Sequence, residues 1–210
     1  MSEGGSNYSK KNFLDKAPGS EHEYSNIGAG LAAHILESVM KKPFNLITRD
    51  LIFKPLGMKN TVWFLSEMKN QSNHSKLYKK DKDKNKLSEV ELYGLITYPD
   101  GGLRTSIKEL TKYLNYIMYD IPDLEQPIIN KKSKENMFTP DFEQDYAKFW
   151  DTKDYLGHGG GDPGVATSMY FDPENEIGVI LFTNTSTYGN FYSLLKNIYN
   201  HGLMLKSNNQ

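Results

Sequence analysis

Two stretches of this sequence hold residue types able to manage a proton and a carbonyl group. They are Tyr24-Ser25-Asn26 near the start and Gly157-His158-Gly159-Gly160-Gly161 toward the end. Tyr24 and Asn26 are two positions apart, so in an extended segment both side chains face the same way. A phenol is a poor base at its ordinary pKa of about 10 and needs nearby cations to stabilise the phenolate or relay its proton. His158 could serve as one such neighbour. Gly159, Gly160 and Gly161 leave a strand edge bare of side chains, so a substrate backbone can approach and a main-chain N–H can point at a developing oxyanion. Each residue also has an ordinary structural use: a tyrosine packs its ring to hold a loop, and a histidine beside glycines is often simply hydrogen-bonded in place.

Other chemistries find less support. Gly159, Gly161 and Gly164 spell a G-x-G-x-x-G pattern, but dinucleotide binding needs a helix after it, and here Pro163 interrupts and a strand-like run follows. The histidines at 22, 34, 74, 158 and 201 show no metal-ligand spacing. With no cysteine, disulfides, thiol catalysis and cysteine-based zinc sites are excluded. No cofactor or metal is implied. Lys and Arg total 25 against 26 Asp and Glu, a net charge of -1 that offers no field to nucleic acid or anionic lipid.

The elements that must position these residues follow from periodicity. Residues 1–25, with Gly4, Gly5, Pro18 and Gly19 among polar residues, read as an irregular lead-in ending in the Tyr-x-Asn string. Ile27, Leu31, Ala32, Ile35, Leu36 and Val39 recur at helical spacing, with Asn26 as the expected N-cap. Pro43 suits the first turn of a second helix ending near Pro55-Leu56-Gly57. Ser66 to Leu87, with the mixed run Lys79-Lys80-Asp81-Lys82-Asp83-Lys84, reads as a solvated excursion. Ser106 and Glu109 form a capping box ahead of a third helix ending near Tyr119.

Pro122 to Asp154 reads as irregular. Val165–Asp172 and Glu176–Asn184 then read as a hairpin turning at Pro173-Glu174-Asn175. The second of these strands is apolar on both faces, which predicts a central position covered by helices. A last helix presents Phe191, Leu194, Leu195, Ile198 and Tyr199 on one side. The expectation is one α+β domain: a mostly helical region over 26–150, then antiparallel strands with a C-terminal helix over 151–210. No apolar run is long enough for a membrane span, and no signal peptide is expected on this chain, which leaves its compartment open.

Read together in chain order, four strings resemble the serine β-lactamase and penicillin-binding-protein family, with its class C β-lactamase, esterase and D-aminopeptidase relatives. Tyr24-Ser25-Asn26 resembles its Tyr-x-Asn motif, and Leu51-Ile52-Phe53-Lys54-Pro55-Leu56-Gly57-Met58 the stretch that follows. Gly101-Gly102-Leu103-Arg104-Thr105-Ser106 resembles its glycine-pair turn into a helix, and Gly157-His158-Gly159-Gly160-Gly161-Asp162-Pro163-Gly164 its His-x-Gly box. The resemblance runs from about Phe13 to the end. It implies a β-lactamase/transpeptidase-like fold, a helical region plus an antiparallel sheet flanked by helices. It also implies hydrolysis of an amide or ester through an acyl-serine. Tyr24 would be base and proton relay, His158 and Asn26 would orient the substrate, and Gly161 N–H would form half of the oxyanion hole beside Gly159 and Gly160.

The family's nucleophile lies on a Ser-x-x-Lys turn well ahead of Tyr-x-Asn, where the lysine lowers the cost of deprotonating the hydroxyl. None of the residues before Tyr24 spells it. Ser38/Lys41, Ser66/Lys69 and Ser193/Lys196 do, but all fall after Tyr24, and none is assigned as nucleophile. The resemblance therefore implies that the family's N-terminal helix, two strands and nucleophile helix are absent from this sequence. The chain is expected to be inactive alone and to associate with itself or with a complementary N-terminal segment. The rival expectation is a non-catalytic module that binds a ligand or partner through the same cleft.

Overall fold

The computed structural model describes residues 9–80, 86–119, 127–141, 145–186 and 191–208. Strands β3 (Leu156–Asp162), β4 (Val165–Asp172) and β5 (Ile177–Thr183) form an antiparallel sheet in the order β3-β4-β5. Register pairs His158 with Met169 and Ser168 with Leu181. Period-two alternation divides the β4 and β5 side chains between two cores. Met169, Phe171 and Ile180 join Phe53, Leu56, Met58, Leu114, Ile117 and Trp150 on one face, that of α3 (Ile107–Met118). Tyr170, Val179 and Leu181 join Leu195 and Tyr199 of α5 (Phe191–Ser207) on the other.

Helices thus cover both faces of β5, as its apolar sequence requires, but its position is not central. Among the described strands β5 pairs only with β4 and forms an edge. At Gly178 α3 lies close, since a Cβ there would meet Leu114 Cδ2 at 2.7 Å.

Helix α1 spans Asn26–Met40, and its cap is Ser25 rather than the expected Asn26. Ser25 has the extended backbone a cap requires (φ -149, ψ 115), and its hydroxyl accepts from the Gly28 N–H at 3.0 Å. Asn26 is the first helical residue. Pro43 likewise stands just outside α2 (Phe44–Thr48) as its N-cap, because its ψ of 142 is not helical. The Arg49–Phe53 turn widens and carries the chain on toward Pro55.

Ser106 caps α3 by accepting the Glu109 N–H at 3.2 Å. Only half of the expected box closes, because the Glu109 carboxylate turns inward. It accepts from Asn60 N–H at 3.0 Å, the Thr61 hydroxyl at 3.2 Å and Lys112 Nζ at 3.2 Å.

The stretch read as a solvated excursion and the one read as irregular both contain regular elements. Within Ser66–Leu87 lies β1 (Leu77–Lys80), which pairs antiparallel with β2 (Leu87–Val90). Asp81, Lys82, Asp83 and Lys84 lie outside the described residues. The β1 strand is tied down at a distance, by Tyr78 N–H donating to Asn184 O at 2.9 Å and by Leu77 lying against Gly164. Within Pro122–Asp154 the helix α4 (Lys131–Phe138) forms, with Asn130 accepting from Ser133 N–H at 2.8 Å.

Candidate active site

The lead-in, the glycine-rich strand and the approach to that strand meet at one point. The approach is a tight turn in which Ala147 N–H donates to Trp150 O at 2.7 Å, with Phe149 at φ 63. A Phe there is strained, and the buried Trp150 side chain beside it anchors the turn in the α3-side core. Tyr146 bridges antiparallel to Asp151, and Asp151 bridges to Gly157. The backbone therefore fixes Tyr146 relative to His158.

Four aromatic rings cluster here. Tyr24 lies nearly parallel to His158 with centroids 5.9 Å apart and meets the edge of Tyr146 at 6.2 Å. His22 stacks on Tyr146 at 4.6 Å, and Tyr146 meets His158 edge-on at 6.0 Å. His158 Nε2 is 3.0 Å from the Tyr146 hydroxyl, and Nδ1 engages the carbonyl of Gly159. His158 is half-buried, whereas Tyr24 is 55% exposed, and its hydroxyl makes no hydrogen bond to another described residue.

Beside the rings, Gly159, Gly160 and Gly161 are exposed. Over His158–Asp162 the strand pairs only on its β4 side among the described residues. That edge of the strand is thus unpaired next to the rings, apart from the Gly159 carbonyl that His158 Nδ1 engages. A side chain at Gly160 would be pressed against Thr167, whose Oγ1 lies 2.7 Å from where a Cβ would stand. Asn26 is exposed at the start of α1, with no side-chain hydrogen bond to another described residue.

Burial, then the neighbouring Tyr24 and the Asp151 carboxylate, push the Tyr146 phenol up to about 12. Tyr170, on the opposite sheet face, is likewise pushed up to about 12 by burial and then by Asp151. At the far end of the glycine edge, burial and then Asp100 raise the Asp162 carboxyl above the usual range. Among the described residues no group of three or more His, Asp or Glu could hold a metal. No helix of the described residues is long and apolar enough to cross a membrane.

Of the residues singled out in the sequence, the structure brings Tyr24 and His158 into contact and sets Gly159–Gly161 beside them. Asn26 is the exposed first residue of α1, two positions after Tyr24. Tyr146 and His22 were not foreseen. His22 had a signal, since it stands two before Tyr24 and shares its side of an extended segment, whereas nothing local marks Tyr146. Ser38 is on α1 about 18 Å along the axis from Asn26, with its hydroxyl donating to His34 O. Ser193 is on α5, across the sheet from the face that His158 shares with Met169.

An antiparallel sheet with helices packed on both faces, together with the helical region before it, is an α+β architecture of the β-lactamase/transpeptidase-like kind. The chain belongs to the Beta-lactamase family, whose model it matches over residues 7–198. It is similar to an octameric penicillin-binding protein homologue from Pyrococcus abyssi, with 25% identity and a TM-score of 0.75, over 93% of this chain and 45% of that one. A D-amino acid amidase from Ochrobactrum anthropi SV3 shares its fold at 21% identity and a TM-score of 0.73, over 95% of this chain and 62% of that one. A putative D-alanyl-D-alanine carboxypeptidase of Salmonella paratyphi B is 39% identical over 54 residues, 26% of this chain and 12% of that protein. The chain thus spans less than two thirds of each of these relatives.

Proposed function

We propose that this chain supplies the proton relay and the substrate-binding strand of an acyl-serine hydrolase acting on amides or esters. The observation that carries this reading is the packing of Tyr24 on His158 beside the exposed Gly159–Gly161 edge. A carbonyl substrate laid along that edge would meet main-chain N–H donors, with Gly161 N–H as one half of the oxyanion hole. A serine Oγ would form a bond to the carbonyl carbon as the C–N or C–O bond breaks. Its proton would pass through Tyr24 to the leaving nitrogen or oxygen, and water would then release the acid. The names of the relatives, a D-amino acid amidase and a D-alanyl-D-alanine carboxypeptidase, favour small amides or peptides of D-amino acids as substrates.

The nucleophile in this reading comes from a Ser-x-x-Lys element preceding Tyr24, and the 210-residue polypeptide alone does not form an acyl-enzyme. An unchanged intact mass after fluorophosphonate treatment is the expected result; a single adduct would name a serine within this sequence. Supplying a family N-terminal segment, in cis or as a separate polypeptide, is expected to restore hydrolysis of an activated ester. Tyr24→Phe in the complemented protein is expected to lower kcat on the order of a hundredfold or more. Hydrolysis undiminished from wild type in both Tyr24→Phe and His158→Ala would refute this assignment of roles. If every complemented form is folded and inert yet binds a D-amino-acid peptide, the cleft belongs to a non-catalytic binding module.

A further inference from the structure

His158 is held at both ring nitrogens, and the two partners decide which nitrogen carries the proton. Nδ1 faces the carbonyl oxygen of Gly159, an atom that can only accept, so a hydrogen bond there requires the proton on Nδ1. In the neutral ring Nε2 is then an acceptor, and the Tyr146 hydroxyl stands 3.0 Å from it. We propose that Tyr146 is a positioning residue of this site. Its hydroxyl donates to Nε2 and locks His158 in the Nδ1–H tautomer, which leaves Tyr24 as the phenol whose hydroxyl is open to substrate.

Independent features hold Tyr146 to this task. The backbone bridges through Asp151 to Gly157 set its Cα beside the strand that carries His158. His22 stacks on its ring at 4.6 Å and closes it off from the lead-in side. Burial and the nearby Tyr24 keep the Tyr146 phenol protonated across the ordinary pH range, so it stays a donor when Tyr24 gives up its proton. The groups facing the pair are Tyr24 on His158, and His22, Asp151 and Tyr170 around Tyr146.

One consequence alters the role that family resemblance suggests for His158. With Nδ1–H given to its own strand and Nε2 occupied by Tyr146, the neutral imidazole has no N–H left for a substrate. Its contribution is to hold the Tyr24 ring by stacking, so the three residues work as a supported phenol. This catalytic consequence rests on the proposed function, but the tautomer does not.

The test is the ring ¹⁵N spectrum of the 210-residue protein labelled in its five histidines, at about pH 8.5 where a free imidazole is neutral. The His158 signal is assigned by its loss in His158→Asn. The expected wild-type pattern is a pyrrole-type Nδ1 and a pyridine-type Nε2. In Tyr146→Phe, which keeps the ring stack and the Gly159 carbonyl at Nδ1, Nε2 is expected to lose its donor and shift downfield. A wild-type His158 protonated at Nε2 overturns the proposal without any variant, so a misfolded Tyr146→Phe does not shield it. An unchanged Nε2 resonance in a folded Tyr146→Phe overturns it equally. In the complemented enzyme, Tyr146→Phe is expected to lower kcat on the order of tenfold with KM nearly unchanged. A change in KM alone counts against positioning. Loss of activity in every complemented form would strike the proposed function and leave the spectrum to decide the role of Tyr146.

Discussion

At the scale of single residues, Glu109 shows how a polar side chain comes to be buried at 6% exposure. Burial alone would raise its carboxyl, but the Asn60 N–H, Lys112 and the Thr61 hydroxyl outweigh that and hold it below its ordinary value. A carboxyl depressed by folding stabilises the protein above its unfolded pKa, and this is lost as pH falls through the folded value. Glu109→Gln is therefore expected to cost about 1–3 kcal/mol near neutral pH, because its amide cannot satisfy three donors. The difference should shrink below about pH 4. Urea unfolding of both proteins at pH 7 and at acid pH measures this, and a gap independent of pH would show that charge is not the cause. The sequence marked Glu109 only as a capping partner, because the loop at Asn60 that claims its carboxylate is distant in the chain. The site divides in the same way. Tyr24 and His158 could be named as candidates from their strings, and the structure places their rings together, whereas Tyr146 gains its place through backbone bridges to Asp151 and Gly157, which no local pattern encodes.

At the scale of elements, periodicity revealed where helices form better than what covers them. The α1 apolar positions fall on one stripe as expected, yet Ile27 is 55%, Leu31 52%, Ile35 56% and Val39 74% exposed. An amphipathic period reports that a face is apolar and says nothing of its partner. The α4 helix was missed because Lys131–Phe138 has no apolar period, and β1 because its anchor, Asn184, is far away in sequence. The exposed stripe begins one turn after Tyr24, so an added Ser-x-x-Lys segment would bear on it in the proposed assembly. Leu31→Lys with Ile35→Lys is expected to change the unfolding midpoint of the isolated chain little, within about 0.5 kcal/mol, since neither side chain is buried. The same pair should sharply weaken complementation. Complementation that proceeds undiminished, followed by ester hydrolysis against segment concentration, would place the segment elsewhere.

At the scale of the whole molecule, two surfaces with no partner among the described residues coexist with a charge balance that does little to keep copies apart. Among the described strands β5 has no neighbour beyond β4, so Ile177–Thr183 presents an edge of backbone groups able to template another strand. The α1 stripe adds contiguous apolar surface, and surfaces of that kind mark association sites. With a formal net charge of -1, long-range repulsion between copies is weak. Both α3 and α5 already pack on the faces of β5, so what stays unpaired of it among the described strands is its edge. The 210-residue polypeptide is therefore expected to form dimers or larger particles whose population grows with concentration, and to bind a dye specific for apolar surface. Leu31→Lys with Ile35→Lys should reduce dye binding while leaving the edge-driven share of association, because the two surfaces belong to different elements. If the proposed complementary segment docks on these two surfaces, adding it should suppress both. Light scattering that found a monodisperse monomer across the accessible concentrations, with no dye binding, would mean that neither surface is open in solution, and the case for a complementary segment would fall with it.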